Sequence, residues 1–297
     1  MITEAHKGIS VVIPTTGRAT LVQAIQSVRS QTYGKIELIV VLDNPKLRSF
    51  VENLLVLSSE ILLVTKGNEG GGVARQIGTD KAQYPHIAYL DDDDFWDPDK
   101  LRLQHLAMTL ANSDWSFTAS NFLTRNGRVK VFPRERPPSI TASLPDYIAQ
   151  RKSILFGDSL VQSSSLMIKR EAIKELPWNT NLLKHQDWDL VFRLCTRKFR
   201  FSFLAQPLVT VRQGSPSSVS SISNWQASLE WYEVVKKYLG KTAQADFLLL
   251  HVVAPLIIEG RNARALRELR FAIALRPHLA ALIVSFAKVA SCLLRNR

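Results

Sequence analysis

Ile87-Ala-Tyr-Leu-Asp-Asp-Asp-Asp-Phe-Trp96 joins a short apolar run directly to four consecutive aspartates. An apolar run of this length that meets polar residues reads as a buried strand ending at a loop. The same unit recurs upstream. Residues 9–13 form a strand closed by Pro14, and residues 21–30 carry apolar side chains at helical spacing. Residues 37–42 make a second strand ending at Asp43, a helical stretch follows over 46–57, and residues 61–65 make a third strand. A glycine-rich loop at 67–72 then opens a helix over 73–82. Strands alternating with helices at this spacing predict an α/β fold, a mostly parallel sheet flanked by helices on both faces. Ligands of such sheets sit beyond the carboxyl ends of the strands. Thr15, Thr16, Arg18, Asp43, residues 68–75 and Asp91 to Asp94 all follow strand ends, so separate segments deliver them to one edge.

Past residue 100 the pattern changes. A helix is expected over 101–111, a strand over 115–120, a hairpin turn at 125–128, a strand over 164–168, helices over 170–176 and 186–198, and strands over 201–204 and 208–212. The serine-rich stretch 214–223 reads as a mobile loop. From Trp225 onward the chain reads as wholly helical, with breaks or kinks at Pro255 and Pro277. The expected division is therefore a catalytic domain over 1–224 and a helical region over 225–297.

The 297 residues carry a formal charge of +12, and 46% of them are hydrophobic, which suits a folded protein with an anionic partner. Half of the surplus lies between Lys241 and Arg297, where nine Lys/Arg face three Asp/Glu. Nucleic acid is not the expected anion, because the basic residues accompany an apolar helix without interleaved aromatics. Cys195 and Cys292 have no metal-ligand or disulfide spacing, which fits a reducing compartment. No secretory signal is visible, and no stretch reaches the roughly 20 apolar residues of a membrane span. The protein is expected in the cytoplasm.

Four adjacent carboxylates repel one another by about 1 kcal/mol per close pair in water, and by more near a protein surface. Magnesium or manganese would offset that repulsion through one or two carboxylates, with substrate phosphates completing the shell. An isolated acidic run reads as a solvated loop. This one caps a buried strand and precedes Phe95-Trp96, which a solvated loop does not require.

Tyr89-Leu-Asp-Asp-Asp-Asp-Phe-Trp-Asp-Pro-Asp-Lys-Leu101 resembles the metal motif of glycosyltransferase family 2, the large inverting family with the GT-A fold. The resemblance implies that Asp91 contacts the donor ribose or the metal shell, that Asp92 belongs to the donor-binding set, and that Asp93 holds Mn2+ or Mg2+ against the diphosphate. Asp94 would support the loop. Val11-Val-Ile-Pro-Thr-Thr-Gly-Arg18 is similar to the family's opening strand and places Thr15, Thr16 and Arg18 near the nucleotide. Asp43 stands where an aspartate receives the N–H of uracil, and Arg75, in Asn68-Glu-Gly-Gly-Gly-Val-Ala-Arg75, where an arginine reaches the nucleotide or its phosphates. The 67–72 glycines do not suit a kinase or dinucleotide loop, since no Lys-Ser/Thr follows them and Arg75 stands where Gly or Ala is required.

His185-Gln-Asp-Trp-Asp-Leu-Val-Phe-Arg193 resembles the family's segment in which an aspartate is the general base, here Asp187, although Gln186 replaces the usual Glu. Read without the family, Asp187 and Asp189 are acidic residues complementing a helix N-terminus, worth about 0.3–1 kcal/mol each. In Val209-Thr-Val-Arg-Gln-Gly214 the family often has a histidine able to join the metal shell; Gln213 follows Arg212 here, and Arg212 is assigned to the diphosphate. The implied activity is transfer of a sugar, with inversion, from a nucleotide-diphosphate donor, a UDP-sugar by the resemblance at Asp43, to the hydroxyl of a glycan or lipid-linked acceptor. Bacterial surface polysaccharide is the implied product class.

Leu279, Leu282, Ile283, Phe286, Val289, Ala290 and Leu293 fall on one stripe of a C-terminal helix, and Arg261, Arg264, Arg267 and Arg270 recur every three residues before it. That pattern suits either peripheral binding to an anionic membrane, such as the inner face of the plasma membrane, or a helical cap packed on the rest of the chain. A pseudoenzyme, a nucleotidyltransferase and a nucleic-acid-binding protein are the competing readings of the whole chain.

Overall fold

A computed structural model describes residues 8–124, 126–154, 161–212 and 224–295. In chain order the elements are β1 (Ile9–Thr15), α1 (Leu21–Arg29), β2 (Ile36–Leu42), α2 (Arg48–Glu52), β3 (Glu60–Val64), α3 (Gly71–Lys81), β4 (His86–Tyr89), β5 (Phe95–Trp96), α4 (Lys100–Leu110), β6 (Trp115–Leu123) and β7 (Val129–Phe132). Then come α5 (Leu144–Ala149), β8 (Met167–Lys169), α6 (Arg170–Glu175), α7 (Gln186–Thr196), β9 (Phe201–Arg212), α8 (Trp225–Val235), α9 (Lys241–Leu248), α10 (Ala254–Ile258), α11 (Asn262–Ala274) and α12 (Leu279–Arg295). They form two compact units. One comprises 1–132, 161–181 and 197–215; the other comprises 133–160, 182–196 and 216–297.

The first unit holds a sheet in the order β3-β2-β1-β4-β8-β6-β9-β5, with β7 paired to β6. β1 to β4 run parallel, and β8 is antiparallel to both β4 and β6. Every residue of β1 is buried, as a central strand covered on both faces requires. α3 approaches this strand so closely that a Cβ on Gly78 would lie 2.3 Å from Val12 Cγ1. Glycine is needed there, and it sets the height at which Arg75, three residues earlier, meets the sheet edge.

Several elements differ from the sequence reading. The helix expected over 46–57 shrinks to α2, preceded by a 3₁₀ turn at Pro45–Leu47. Side chains capture the backbone beyond it: Arg29 donates to the Leu54 carbonyl at 2.9 Å, and Glu60 accepts from the Val56 N–H at 2.8 Å. The strand expected over 164–168 is a 3₁₀ turn at Ser163–Ser165 followed by the short β8. Serine hydroxyls bond locally, as Ser165 Oγ does to the Gln162 carbonyl at 2.8 Å, and so compete with a ladder. The two strands expected between 201 and 212 are one, β9, whose extra residues around Pro207 are absorbed where its register with β6 shifts. The turn at 125–128 joins β6 to β7 as a hairpin, though Arg125 itself is outside the described residues, as is the loop at 214–223.

The second unit is helical. Its core is aromatic, with Phe192, Trp231, Tyr232 and Phe247 all buried. α9 and α10 form one continuous run through a π turn at Leu249–Val253, so Pro255 falls in the first turn of α10, just after the widened turn, instead of breaking the helix. This run, Lys241–Ile258, is apolar and long enough by composition to cross a membrane (mean hydropathy 1.4), but 61% of it is buried inside the unit, as a core helix would be.

Candidate active site

The loop after β4 presents its four carboxylates in two directions. Asp92 and Asp94 turn inward and are 0% and 5% exposed, whereas Asp91 and Asp93 keep 31% and 18% of their side chains accessible. Thr15 Oγ1 donates to Asp92 Oδ2 at 2.6 Å, and Arg18 Nε donates to the same oxygen at 3.2 Å, with Arg18 Nη2 2.5 Å from Oδ1. Arg18 Nη1 also reaches Asp93 Oδ2 at 2.8 Å. Arg75 Nη2 donates to Asp91 Oδ1 at 2.5 Å while its guanidinium lies 5.2 Å from the Trp178 ring. The structure thus links Thr15, Arg18, Asp92 and Asp93 in one bonded group and pairs Arg75 with Asp91 on the same loop.

Burial raises the pKa of Asp92 and Asp93; Arg18 opposes the rise at both, and the Asp91 charge adds to it at Asp93. Asp94 is pushed well above the ordinary carboxylate range by burial and by the charges of Asp91 and Asp93. Burial opposes the charged form of Arg18, but Asp92 and Asp93 outweigh it and its pKa rises. Arg18 and Arg75 therefore counter the carboxylates of Asp91, Asp92 and Asp93 at contact distance, while Asp94 is held toward its neutral form.

One organiser of this loop is invisible in the sequence pattern. Ser164 Oγ donates to Asp94 Oδ2 at 2.6 Å and accepts the Asp91 N–H at 3.0 Å, and its carbonyl accepts from Trp96 Nε1 at 2.8 Å. A single buried serine therefore ties both ends of the acidic run. The signal that could have revealed it is three adjacent serines, Ser163 to Ser165, which suit a turn better than a strand.

The remaining residues of the sheet unit sit around this group. Asp43 accepts from the Glu69 and Gly70 N–H groups at 3.0 and 2.7 Å and from the Thr65 hydroxyl, so it shapes the glycine loop, in which Gly70 has φ +91°. Thr16 is exposed, and its carbonyl accepts from Asn44 at 3.4 Å. Arg212 donates its backbone N–H to Asp94 Oδ1 at 3.3 Å; its guanidinium bonds to Gln23 and lies 5.5 Å from the Phe95 ring. Gln213 lies outside the described residues.

Asp187 belongs to the helical unit, in the first turn of α7, where its Oδ1 accepts the Trp188 N–H at 2.9 Å. Its neighbour Asp189 is structural: it accepts from Arg193 Nε at 2.8 Å and lies 3.3 Å from Trp231 Nε1. His185, at φ +61°, donates or accepts a 2.9 Å bond with Ser228 Oγ and packs among Trp188, Trp231, Phe247 and His251.

A divalent cation fits the chemistry of the acidic loop. The two outward carboxylates offer hard oxygen donors, and magnesium or manganese uses few protein ligands. Among the described residues no three His, Cys, Asp or Glu groups converge into a fuller cage.

A mixed sheet, parallel over β1 to β4 and carrying an acidic turn at the carboxyl edge of that half, with helices following it, is the GT-A fold of glycosyltransferases, and the solved structure of S. aureus TarS 1-349 in complex with UDP-GlcNAc matches it with a TM-score of 0.62, at 15% identity, over 96% of this chain and 89% of that one. The profile of glycosyl transferase family 2 matches residues 10–177, more than half of the chain, and the protein belongs to that family. The amylovoran biosynthesis glycosyltransferase AmsB of Erwinia amylovora is 29% identical over 77% of this chain and 78% of its own. The putative teichuronic acid biosynthesis glycosyltransferase TuaG of Bacillus subtilis is 24% identical over 77% and 87%. An Escherichia coli enzyme, the UDP-Glc:alpha-D-GlcNAc-diphosphoundecaprenol beta-1,3-glucosyltransferase WfgD, is 32% identical over 45% and 53%. The chain is a glycosyltransferase with relatives in polysaccharide biosynthesis.

Proposed function

We propose that this glycosyltransferase transfers a sugar from a UDP-sugar to the hydroxyl of a glycan or lipid-linked acceptor, with inversion, on the cytoplasmic side of the membrane during bacterial surface polysaccharide synthesis. The observation that carries the reading is the acidic loop, held at a strand end with the carboxylates of Asp91 and Asp93 turned outward.

Asp91 and Asp93 are the residues that would hold Mn2+ or Mg2+, and the bound ion would neutralise charge gathering on the departing diphosphate. Arg18 and Arg75, which lie on the carboxylates, would exchange part of that contact for donor phosphates, and Arg212, whose guanidinium lies 5.5 Å from the Phe95 ring, would add a third cation. Thr15 keeps Asp92 turned inward, the exposed Thr16 would contact the nucleotide, and Asp43 would accept a base N–H while it holds the glycine loop. Asp187 acts as the general base. The acceptor oxygen forms its bond to the anomeric carbon as the bond from that carbon to the diphosphate oxygen breaks, Asp187 takes the hydroxyl proton, and the nucleoside diphosphate leaves. Attack opposite the leaving group inverts the anomeric centre. UDP-GlcNAc in the TarS complex and UDP-Glc in the name of WfgD support uridine.

A thermal-shift screen of nucleotide sugars with and without manganese tests the donor and the metal together. A UDP-sugar that stabilises the protein only with metal supports the reading; stabilisation indifferent to EDTA would remove the metal from it. Asp187→Asn is expected to retain donor affinity and to lose transfer by about 10²–10⁴-fold. Loss of donor affinity in that variant would show that Asp187 is not the base alone. A protein that binds the donor yet neither transfers nor hydrolyses it would be the pseudoenzyme.

A further inference from the structure

α12 is assembled inside out for a helix that merely completes a core. The residues it buries are small, Ala280, Ala281, Ser285 and Val289, and Ser285 Oγ donates to the Leu249 carbonyl of the π turn at 2.9 Å. Its large apolar side chains point away: Leu279 is 71% exposed, Phe286 52% and Leu294 74%, with Ile283 exposed between them. The stripe read from the sequence therefore divides, since Val289 lies on the buried face whereas Leu279, Ile283 and Phe286 do not, and the Leu293 side chain is outside the described residues.

α11 repeats the arrangement. It buries Ala265 and Ala272 and leaves Leu266, Phe271 and Ile273 exposed, beside exposed Arg261 and Arg270 and beside Arg267, which is exposed and paired with Glu268 at 2.8 Å. Arg264 is held 4.4 Å from the Trp225 ring. Both helices rest on α10 and the π turn through small residues, so the outward apolar side chains are displayed on a packed base. Large apolar side chains displayed with cationic neighbours are what an interfacial helix presents to lipid.

We propose that the outer faces of α11 and α12 dock on the surface of an anionic phospholipid bilayer, with the apolar side chains of α12 at the acyl boundary and the α11 arginines among the headgroup phosphates. Charge selects this occupant over a second copy of the chain. Self-association through the same patch would bring like-charged arginines together, in a chain that already carries +12, whereas anionic headgroups complement them. The inference rests on the two helices and not on the reading of the acidic loop. It deepens that reading only by making a membrane-held acceptor the natural substrate class.

The test is co-sedimentation of the full chain with vesicles of phosphatidylcholine alone and of phosphatidylcholine mixed with phosphatidylglycerol, whose negative surface potential attracts basic side chains. Wild type should bind the anionic vesicles at least about tenfold more tightly, and less tightly in high salt. Ile283→Asp with Phe286→Asp should abolish binding, and Arg267→Gln with Arg270→Gln should weaken it severalfold; circular dichroism and UDP-sugar hydrolysis should stay unchanged in both. Equal binding to neutral and anionic vesicles, or none to either, would overturn the proposal. So would a wild-type dimer in light scattering that the Ile283/Phe286 variant converts to monomer without any vesicle binding. Loss of hydrolysis in wild type with vesicle binding intact would count against the enzymatic reading and leave this one standing.

Discussion

Two regions bury ionisable groups, and burial acts on them with opposite results. In the sheet unit, Asp92, Asp93 and Asp94 are pushed up by desolvation, but guanidiniums and hydroxyls lie within hydrogen-bonding distance of the loop, so part of the cost is returned. In the helical unit, His185 is pulled down to about 3 by burial and by Lys184, and His251 is pulled well below the usual imidazole range by burial, by His185 and by Lys184 and Lys288. Its neighbours are rings and cations, so the imidazoles stay neutral and serve as packing. Desolvation alone does not mark a site. Counter-charge at contact distance, beside carboxylates that stay partly accessible, does.

That contrast can be broken most forcefully in the aromatic cluster. Trp231→Ala removes a ring that packs on His185, Phe192 and Phe247, and is expected to destabilise the protein by about 3–5 kcal/mol in denaturant unfolding, with UDP-sugar affinity of the remaining folded protein unchanged. A mild effect on stability would mean that the cluster is not the helical core. Asp93→Asn tests the other side. It is expected to lower kcat/KM by about 100-fold and to abolish stabilisation by manganese in a melting assay, while the melting temperature without metal holds or rises because a desolvated charge is gone.

Smaller effects sharpen the comparison. Ser164→Ala leaves Asp94 Oδ2 and the Asp91 N–H without their shared partner, and is expected to cost about 1–3 kcal/mol. Its donor affinity should fall while Ser164→Thr restores part of it; a full loss of stability with unchanged affinity would make the serine structural only. The gentlest probe is pH. The unfolded chain protonates His185 near 6.5 whereas the folded one resists until about 3, so stability is complete above 6.5 and is lost as pH falls through that window, by up to about 1.4 kcal/mol per unit for each imidazole. His251→Gln should flatten the slope between pH 6.5 and 5 in thermal melts, and an unchanged slope would assign the acid sensitivity elsewhere.

The legible parts were those carried by short-range pattern. The alternation of residues 9–90 announced the parallel half of the sheet, because a strand buried on both faces must be continuously apolar. The acidic run announced itself by following such a strand. Elements differ from the sequence pattern where side chains compete for the backbone, at long range where Arg29 holds the Leu54 carbonyl and locally where Glu60 takes the Val56 N–H and Ser165 the Gln162 carbonyl.

What the sequence by itself determined is the alternation, the strand-end placement of Asp43 and Asp91 to Asp94, and the family. Tertiary structure alone decided which carboxylates face outward, that Arg18 spans 74 and 75 residues to reach Asp92 and Asp93, and that α12 buries its small side chains and displays its large ones. The physical reason is one of range. Periodicity reports which residues share a face, but whether that face meets protein or something else is set by how closely the neighbouring helices approach, and no local pattern encodes that distance.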